Sequence, residues 1–154
     1  DTHRKDDNLK LVLSEECPLD MLIHLGDAEG SEHFIPDWVN PECRMEMVLG
    51  NNDFFSRLDR EREIDIAGHK AFITHGHYYG VSMGPEGLVD EAKSRGCDIA
   101  MYGHTHRPFL DVIDGVTVLN PGSLSYPRQE GRRPSYMIIH VDADGKMDYQ
   151  QKYL

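Results

Sequence analysis

Two histidines follow a short apolar run and could hold a metal ion. His104 and His106 come directly after Ile99–Met101, with Gly103 between the run and the first histidine. The run predicts a buried strand, and open α/β sheets place ligands in the loops at the carboxyl ends of such strands. Two imidazoles at this spacing can reach one ion or two adjacent ions. The pair is also typical of ordinary loop residues, so the prediction depends on the rest of the chain.

Further segments repeat this arrangement of a nitrogen or oxygen donor beside the end of a predicted strand. Together with the first pair, the candidate ligands are Asp1, His3, Asp27, Asn51, His75, His104 and His106. Mixed imidazole and carboxylate ligands suit Mn, Fe or Zn better than Mg or Ca. One aspartate can bridge two ions about 3.5–4 Å apart, as in two-metal sites of phosphoryl transfer. Seven donors from five places in the chain therefore indicate a two-metal site.

Each of these segments also has an ordinary explanation when it is taken alone. Gly50–Asp53 has the composition of a turn, and the polar residues Asp1–Asp7 are typical of a frayed terminus. His24 lies inside a predicted strand, where a packed core histidine is the better interpretation. The coincidence of all five places favours the metal site over these separate explanations.

The elements that must position these donors alternate between strand and helix in the first half of the chain. The patterns predict helices over Leu9–Glu16, Ser31–Asn40 and Pro85–Arg95, and strands over Met21–Leu25, Arg44–Leu49, Glu63–Ala67, Lys70–Ile73 and Ile99–Met101. The second half predicts two hairpins, Phe109–Leu119 and Tyr136–Tyr153, around the Asp-Gly turns at Asp114 and Asp144. An α/β class with antiparallel structure at the end follows.

Asp1 and His3 have no apolar run ahead of them in the sequence. Since side chains of this kind normally follow a buried strand, we expect the first strand of the sheet to be encoded upstream of residue 1. Residues 1–154 then form a single domain, because this length supports one sizeable core and is too short for two ordinary ones.

Composition excludes several classes of protein. A net charge of −11 repels nucleic acid and anionic membranes, and no apolar run has the length of a membrane span. The three cysteines are widely spaced and odd in number, which argues against a disulfide framework or a structural zinc site and favours the cytoplasm. Bound divalent cations would neutralise part of the negative charge.

The ordered motifs resemble those of the calcineurin-like metallophosphoesterases, and in particular their small single-domain bacterial and archaeal phosphodiesterases. The motifs are Asp-x-His at Asp1, Gly-Asp at Gly26, Gly-Asn-x-Asp at Gly50, His-Gly-His at His75 and Gly-His-x-His at Gly103. Asn120-Pro121-Gly122-Ser123 is similar to a late loop of the same branch. The resemblance spans nearly the whole chain and implies a four-layer α/β/β/α sandwich of two mixed sheets flanked by helices.

The resemblance also implies a ligand set and a reaction. Asp1, His3, Asp27 and His106 would hold the first ion, and Asp27, Asn51, His75 and His104 would hold the second. Manganese is the expected metal, with iron, zinc or nickel as alternatives. A hydroxide bridging the two ions would attack small phosphodiesters, with monoesters as a further substrate class. Formation of a homo-oligomer is left open.

Two positions depart from the wider family. Asn52 stands where many relatives have a histidine thought to protonate the leaving group, and Arg4 stands where glycine is frequent. The first departure puts efficient general-acid catalysis in doubt. His77 follows a ligand on a turn and could orient the site or hydrogen-bond the leaving group, and an indirect role is equally compatible with its position. Asn52 and His77 are therefore the candidate catalytic residues.

A non-catalytic interaction scaffold is the competing hypothesis. A scaffold subunit of the eukaryotic retromer coat resembles this branch, but its metal-ligand set is eroded. All seven ligand positions are intact in this chain, which favours an enzyme. A nuclease fits poorly, because a chain of this net charge shows no basic groove.

Overall fold

A computed structural model describes all 154 residues and contains two α-helices and nine strands. The helices are α1 (Asp7–Glu16) and α2 (Glu86–Ser94), and the strands are β1 (Met21–His24), β2 (Arg44–Met47), β3 (Glu61–Ile66), β4 (His69–Thr74), β5 (Ile99–Met101), β6 (Pro108–Ile113), β7 (Val116–Pro121), β8 (Ser135–Val141) and β9 (Met147–Tyr153). No helix has the length and apolar character needed to cross a membrane.

The central sheet is mixed and has the strand order β3-β4-β5-β7-β6. Strands β4, β5 and β7 run parallel, and β3 and β6 pair antiparallel at the two edges. All three residues of β5 are buried, as its apolar sequence predicts. Since parallel strands end at the same edge of a sheet, the loops after β4 and β5 meet there, and they carry His75, His104 and His106.

A second layer of strands packs on the central sheet. It consists of two separate sheets, the parallel pair β1-β2 and the antiparallel pair β8-β9. A largely apolar groove of about 710 Å³ lies between α1 and the central sheet and is lined by both β1 and β8. Each of these strands is paired on one side only, so one additional strand in the groove could pair with both. The strand expected upstream of Asp1 stays a prediction.

Three apolar clusters hold four layers together. Leu9 and Leu13 of α1 pack in a cluster with Met47 at the end of β2. Val48 packs with Met101 between the two strand layers, and a third cluster joins Leu88 and other residues of α2 to the far face of the central sheet. The order α1, strand layer, central sheet, α2 confirms the predicted four-layer α/β/β/α sandwich. The outer strand layer differs from a single mixed sheet only in being two separate pairs.

The helix predicted over Ser31–Asn40 is wrong. This segment forms two short 3₁₀ turns, Ser31–His33 and Ile35–Trp38. Pro36 accounts for the difference, because it has no N–H to donate and its ring clashes with the preceding turn of a continuous α-helix. The proline is tolerated at the start of the second turn, where an N–H would have no partner within the helix.

Candidate metal centre

The structure brings all seven predicted ligands to one edge of the central sheet. One group contains Asp1, His3 and His106. Nε2 of His106 lies 3.3 Å from Oδ1 of Asp1 and 3.3 Å from Nε2 of His3. The three donor atoms all lie within 4.8 Å of one another, so one metal ion could contact all of them.

The second group contains Asp27, Asn51, His75 and His104. Oδ1 of Asn51 lies 3.0 Å from Nε2 of His75 and 3.0 Å from Nδ1 of His104. Asp27 lies between the two groups, because its Oδ2 is 3.3 Å from Nε2 of His75 and 3.6 Å from Nε2 of His3. A carboxylate in this position could serve as a ligand that the two groups share.

Partners behind the histidines fix which ring nitrogen faces the site. Nδ1 of His75 lies 2.6 Å from the Leu25 carbonyl, and Nδ1 of His106 lies 2.7 Å from the Tyr126 carbonyl. Because a carbonyl only accepts hydrogen bonds, both Nδ1 atoms carry the proton in the neutral ring, and both Nε2 lone pairs point into the site. Nδ1 of His3 is held in the same way by Glu29, at 2.8 Å from Oε2.

The donor set fits divalent cations. The Nε2 lone pair of His75 faces oxygens of Asn51 and Asp27 that are acceptors as well, so these atoms repel one another unless a positive charge lies among them. Oδ1 of Asp1 is buried and accepts no hydrogen bond, whereas its Oδ2 accepts one from the backbone N–H of His104 at 3.0 Å. A buried carboxylate oxygen without a donor is costly, and coordination of a cation would remove that cost.

Burial favours the neutral form of three histidines at the site, and metal ligation requires neutral imidazoles. Burial lowers the pKa of His106 to about 4, although the hydrogen bond to the Tyr126 carbonyl partly opposes the shift. Burial is also the largest cause of the lowered pKa values of His104 and His77. Near neutral pH these three rings are therefore uncharged and can offer lone pairs.

Four ligands have a left-handed backbone, which residues other than glycine rarely adopt. The φ angles are +48° at His3, +59° at Asp27, +67° at His104 and +59° at His106. Such a conformation costs on the order of 1–3 kcal/mol per residue, and it persists where the surrounding structure holds it in place. Its concentration at four candidate ligands singles out this edge of the sheet as the candidate functional site. Residue types and spacing did not predict this strain.

Asp53 holds the Asp27 loop against the site and was missed as a functional residue. Its buried carboxylate accepts hydrogen bonds from the backbone N–H groups of Asp27 (2.8 Å), Glu29 (2.7 Å) and Gly50 (2.7 Å). The Gly-Asn-x-Asp motif contained this signal, but two of the three partners of its last aspartate, Asp27 and Glu29, lie 26 and 24 residues away in the chain. Asp53 is therefore a positioning residue for two ligand loops.

The Asn120-Pro121-Gly122-Ser123 segment anchors two other ligand loops. Nδ2 of Asn120 donates to the Gly103 carbonyl at 2.9 Å and is 3.0 Å from the Thr105 hydroxyl. The Ser123 hydroxyl donates to the Asp1 carbonyl at 2.6 Å. The late loop thus supports the loop of His104 and His106 and the segment of Asp1.

The two candidate catalytic residues are placed differently. Asn52 donates to Asp27 twice, from its backbone N–H to Oδ1 (2.8 Å) and from Nδ2 to Oδ2 (3.0 Å). The ring of His77 lies 5.4 Å from that of His75 and 6.0 Å from that of His104, centroid to centroid. Nδ1 of His77 is buried and has no hydrogen-bond partner. The Asn52 side chain therefore orients Asp27, while His77 borders the second ligand group.

Gly50 can accept no side chain in this arrangement. A Cβ at Gly50 would lie 2.1 Å from Oδ1 and 2.4 Å from the backbone nitrogen of Asp27. We expect Gly50→Ala to displace Asp27. The phosphodiester hydrolysis that the sequence resemblance implies should then fall by about 10²-fold in kcat/KM, because a displacement of about 1 Å in a catalytic group has that effect. Gly68→Ala is the control, since a Cβ at Gly68 meets nothing within 4 Å and its strained φ affects stability alone. Full activity of Gly50→Ala would contradict this role.

The four-layer fold and the residues gathered at its edge are those of a metallophosphoesterase. Residues 1–144 match the model of the calcineurin-like phosphoesterase superfamily domain, and the chain belongs to that superfamily. A probable metallophosphoesterase of Mycoplasma pneumoniae is 32% identical over 144 residues, covering 92% of this chain and 86% of the relative. The predicted resemblance is thereby confirmed.

Solved structures agree with this assignment. The structure of a novel archaeal phosphodiesterase superimposes with a TM-score of 0.75 at 25% identity and covers 100% of this chain and 96% of its own. Wild-type Vps29 from Entamoeba histolytica, complexed with zinc, has a TM-score of 0.72 at 20% identity, with coverage of 96% and 88%. The second likeness shows the fold alone.

Proposed function

We propose that this phosphoesterase is a phosphodiesterase that depends on two divalent cations. Asp1, His3, Asp27 and His106 hold one cation, and Asp27, Asn51, His75 and His104 hold the other. The observation that carries the proposal is the buried, unpartnered Oδ1 of Asp1. It lies 3.3, 3.7 and 3.8 Å from Nε2 of His106, His75 and His3, so it faces both ligand groups. The family membership and the phosphodiesterase among the similar structures support the same conclusion.

When bound, the cations supply Lewis acidity for the phosphate oxygens and an acidified water as the nucleophile. The protein supplies the positions of the ligands. Asn52 and Asp53 hold Asp27 between the two ligand groups, and Glu29 holds the ring of His3. Because these hydrogen bonds exist before substrate binds, the site needs little reorganisation during the reaction.

We further propose manganese as the cation and the cytoplasm as the location. The mixture of imidazole, carboxylate and amide donors suits manganese, with iron, zinc and nickel as alternatives. Cys17, Cys43 and Cys97 are all free thiols, which is typical of a reducing compartment. The negative net charge of the chain favours a small phosphodiester over nucleic acid as the substrate.

Metal removal tests the proposed function. We expect dialysis against a chelator to lower turnover of bis(p-nitrophenyl) phosphate by about 10³-fold or more, because the cations contribute several kcal/mol to transition-state stabilisation. Stoichiometric manganese should restore the activity, with saturation near two ions per chain. Undiminished turnover after the metal content has fallen to zero would refute metal dependence.

A non-catalytic scaffold is the second candidate, because Vps29 shares this fold. The metal-loaded protein distinguishes the two candidates. An enzyme turns over the aryl phosphodiester and loses that turnover in Asp27→Ala. A scaffold binds cations at the same site without measurable hydrolysis above a matched preparation of Asp27→Ala.

A further inference from the structure

A polar cavity of about 790 Å³ opens beside the first ligand group. His3 and His106 form one side of it, and only one of its eight lining residues is hydrophobic. Arg107, Arg128 and Arg132 all line the cavity and are exposed. Three guanidinium groups beside the proposed reaction centre are unexpected in a chain with 27 acidic and 16 basic residues.

These three arginines have no carboxylate partner within the protein. The ion pairs made by arginines involve Arg44, Arg62 and Arg95, which lie elsewhere in the fold. The one carboxylate that lines the cavity belongs to Glu29, and its Oε2 is hydrogen-bonded to Nδ1 of His3. The positive charge of the cavity is therefore available to an anion.

Backbone hydrogen bonds fix the loop that carries Arg128 and Arg132 relative to the proposed metal ligands. The backbone N–H of Arg128 donates to the His106 carbonyl at 3.0 Å, and Nδ1 of His106 donates to the Tyr126 carbonyl at 2.7 Å. Arg132 has a left-handed backbone, with φ of +45°, and its N–H donates to the Gln129 carbonyl at 2.9 Å. The backbone of this loop is thus fixed beside His106, and its Arg128 and Arg132 side chains line the cavity.

We propose that this cavity binds a second phosphate group of the substrate, so that the enzyme prefers phosphodiesters that carry a separate terminal phosphate. The inference rests on the proposed function, because it places the scissile phosphate at the ligands of the metal centre. Guanidinium groups recognise phosphate through paired, charge-assisted hydrogen bonds. A largely polar lining is suited to a phosphate and unsuited to an apolar leaving group.

A matched pair of substrates tests this specificity. Thymidine 5′-(p-nitrophenyl phosphate) and its 3′-phosphorylated form have the same scissile bond and leaving group and differ only in the second phosphate. We expect the 3′-phosphate to lower KM about tenfold or more in the parent, since a hydrogen bond to a charged group contributes about this factor. Arg107→Gln combined with Arg128→Gln should abolish the preference, so that the two substrates give the same KM.

Arg133→Gln is the matched control, because Arg133 belongs to the same loop but lies over the ring of Tyr153, outside the cavity lining. It should keep the full preference. Equal KM values for the two substrates in the parent would overturn the proposal, as would an unchanged preference in the double variant.

A binding measurement separates this inference from the proposed function. Calorimetry on the metal-loaded parent should give at least about tenfold tighter binding of thymidine 3′,5′-bisphosphate than of thymidine 5′-monophosphate, and the double variant should bind both alike. If neither ester is hydrolysed but this difference in affinity is found, the proposed function fails and the anion site stands. Equal affinities beside normal hydrolysis leave the proposed function intact and refute the site.

Discussion

Asp27→Ala is expected to lose both cations and to lower kcat/KM for bis(p-nitrophenyl) phosphate by about 10³-fold or more. The reason is the position of this carboxylate, whose Oδ2 lies within 3.6 Å of donor nitrogens from both ligand groups. His75→Ala should mainly weaken the second cation, because the first group of Asp1, His3 and His106 remains complete.

Metal analysis of the purified variants by mass spectrometry checks this expectation. Asp27→Asn is the matched variant, since it keeps the size of the side chain and removes its charge. Asp37→Ala serves as the control for loss of an aspartate, because Asp37 is exposed in the turn at Ile35–Trp38 and belongs to none of the ligand motifs. Two fully occupied sites in Asp27→Ala would show that Asp27 is not a shared ligand.

The sequence was sufficient to predict that the candidate ligands meet because parallel strands impose a simple rule. A donor that follows a buried strand is delivered to the same edge as the donors after neighbouring strands. His75 and His104, which follow β4 and β5, lie 3.3 Å apart between Nε2 and Nδ1 although 29 residues separate them. The alternation of strand and helix is visible in the sequence, so the meeting of these residues could be inferred.

The partners that orient the ligands could not be predicted in the same way. His75 and His106 donate to the carbonyls of Leu25 and Tyr126, and a backbone carbonyl has no signature in a sequence. Glu29 has an ordinary loop composition around it, and only the fold places its carboxylate against His3. The left-handed φ angles of four ligands are likewise set by tertiary contacts that override residue preference.

The cavity lined by arginines shows that local charge could not be predicted from the composition either. Net charge suggested a protein that repels nucleic acid and anionic membranes, because composition averages over the whole surface. The fold instead gathers Arg107, Arg128 and Arg132 on the side of the site formed by His3 and His106. Local charge near a metal centre therefore has to be taken from the arrangement of side chains and not from the total.

Activity on phosphodiesters is expected to fall steeply as the leaving alcohol becomes more basic, with aryl esters hydrolysed far faster than alkyl esters. Asn52 stands where a proton donor would be needed, and a carboxamide gives up no proton at working pH. Its Nδ2 is moreover occupied by the hydrogen bond to Oδ2 of Asp27 at 3.0 Å. His77 is a poor donor near neutral pH, since burial and the adjacent histidines lower its pKa.

Asn52→His should flatten this dependence by introducing a general acid. A positioned general acid contributes about 10²–10⁴-fold, and the gain should appear chiefly with alkyl esters, whose leaving groups need the proton most. Asn52→Ala separates the two roles of the position, because it removes the hydrogen bond to Asp27 without supplying an acid. The measurement is the slope of log kcat/KM against the pKa of the leaving alcohol in the parent, in both Asn52 variants and in His77→Ala. A shallow slope in the parent that steepens in His77→Ala would assign the acid role to His77 and refute the argument from Asn52.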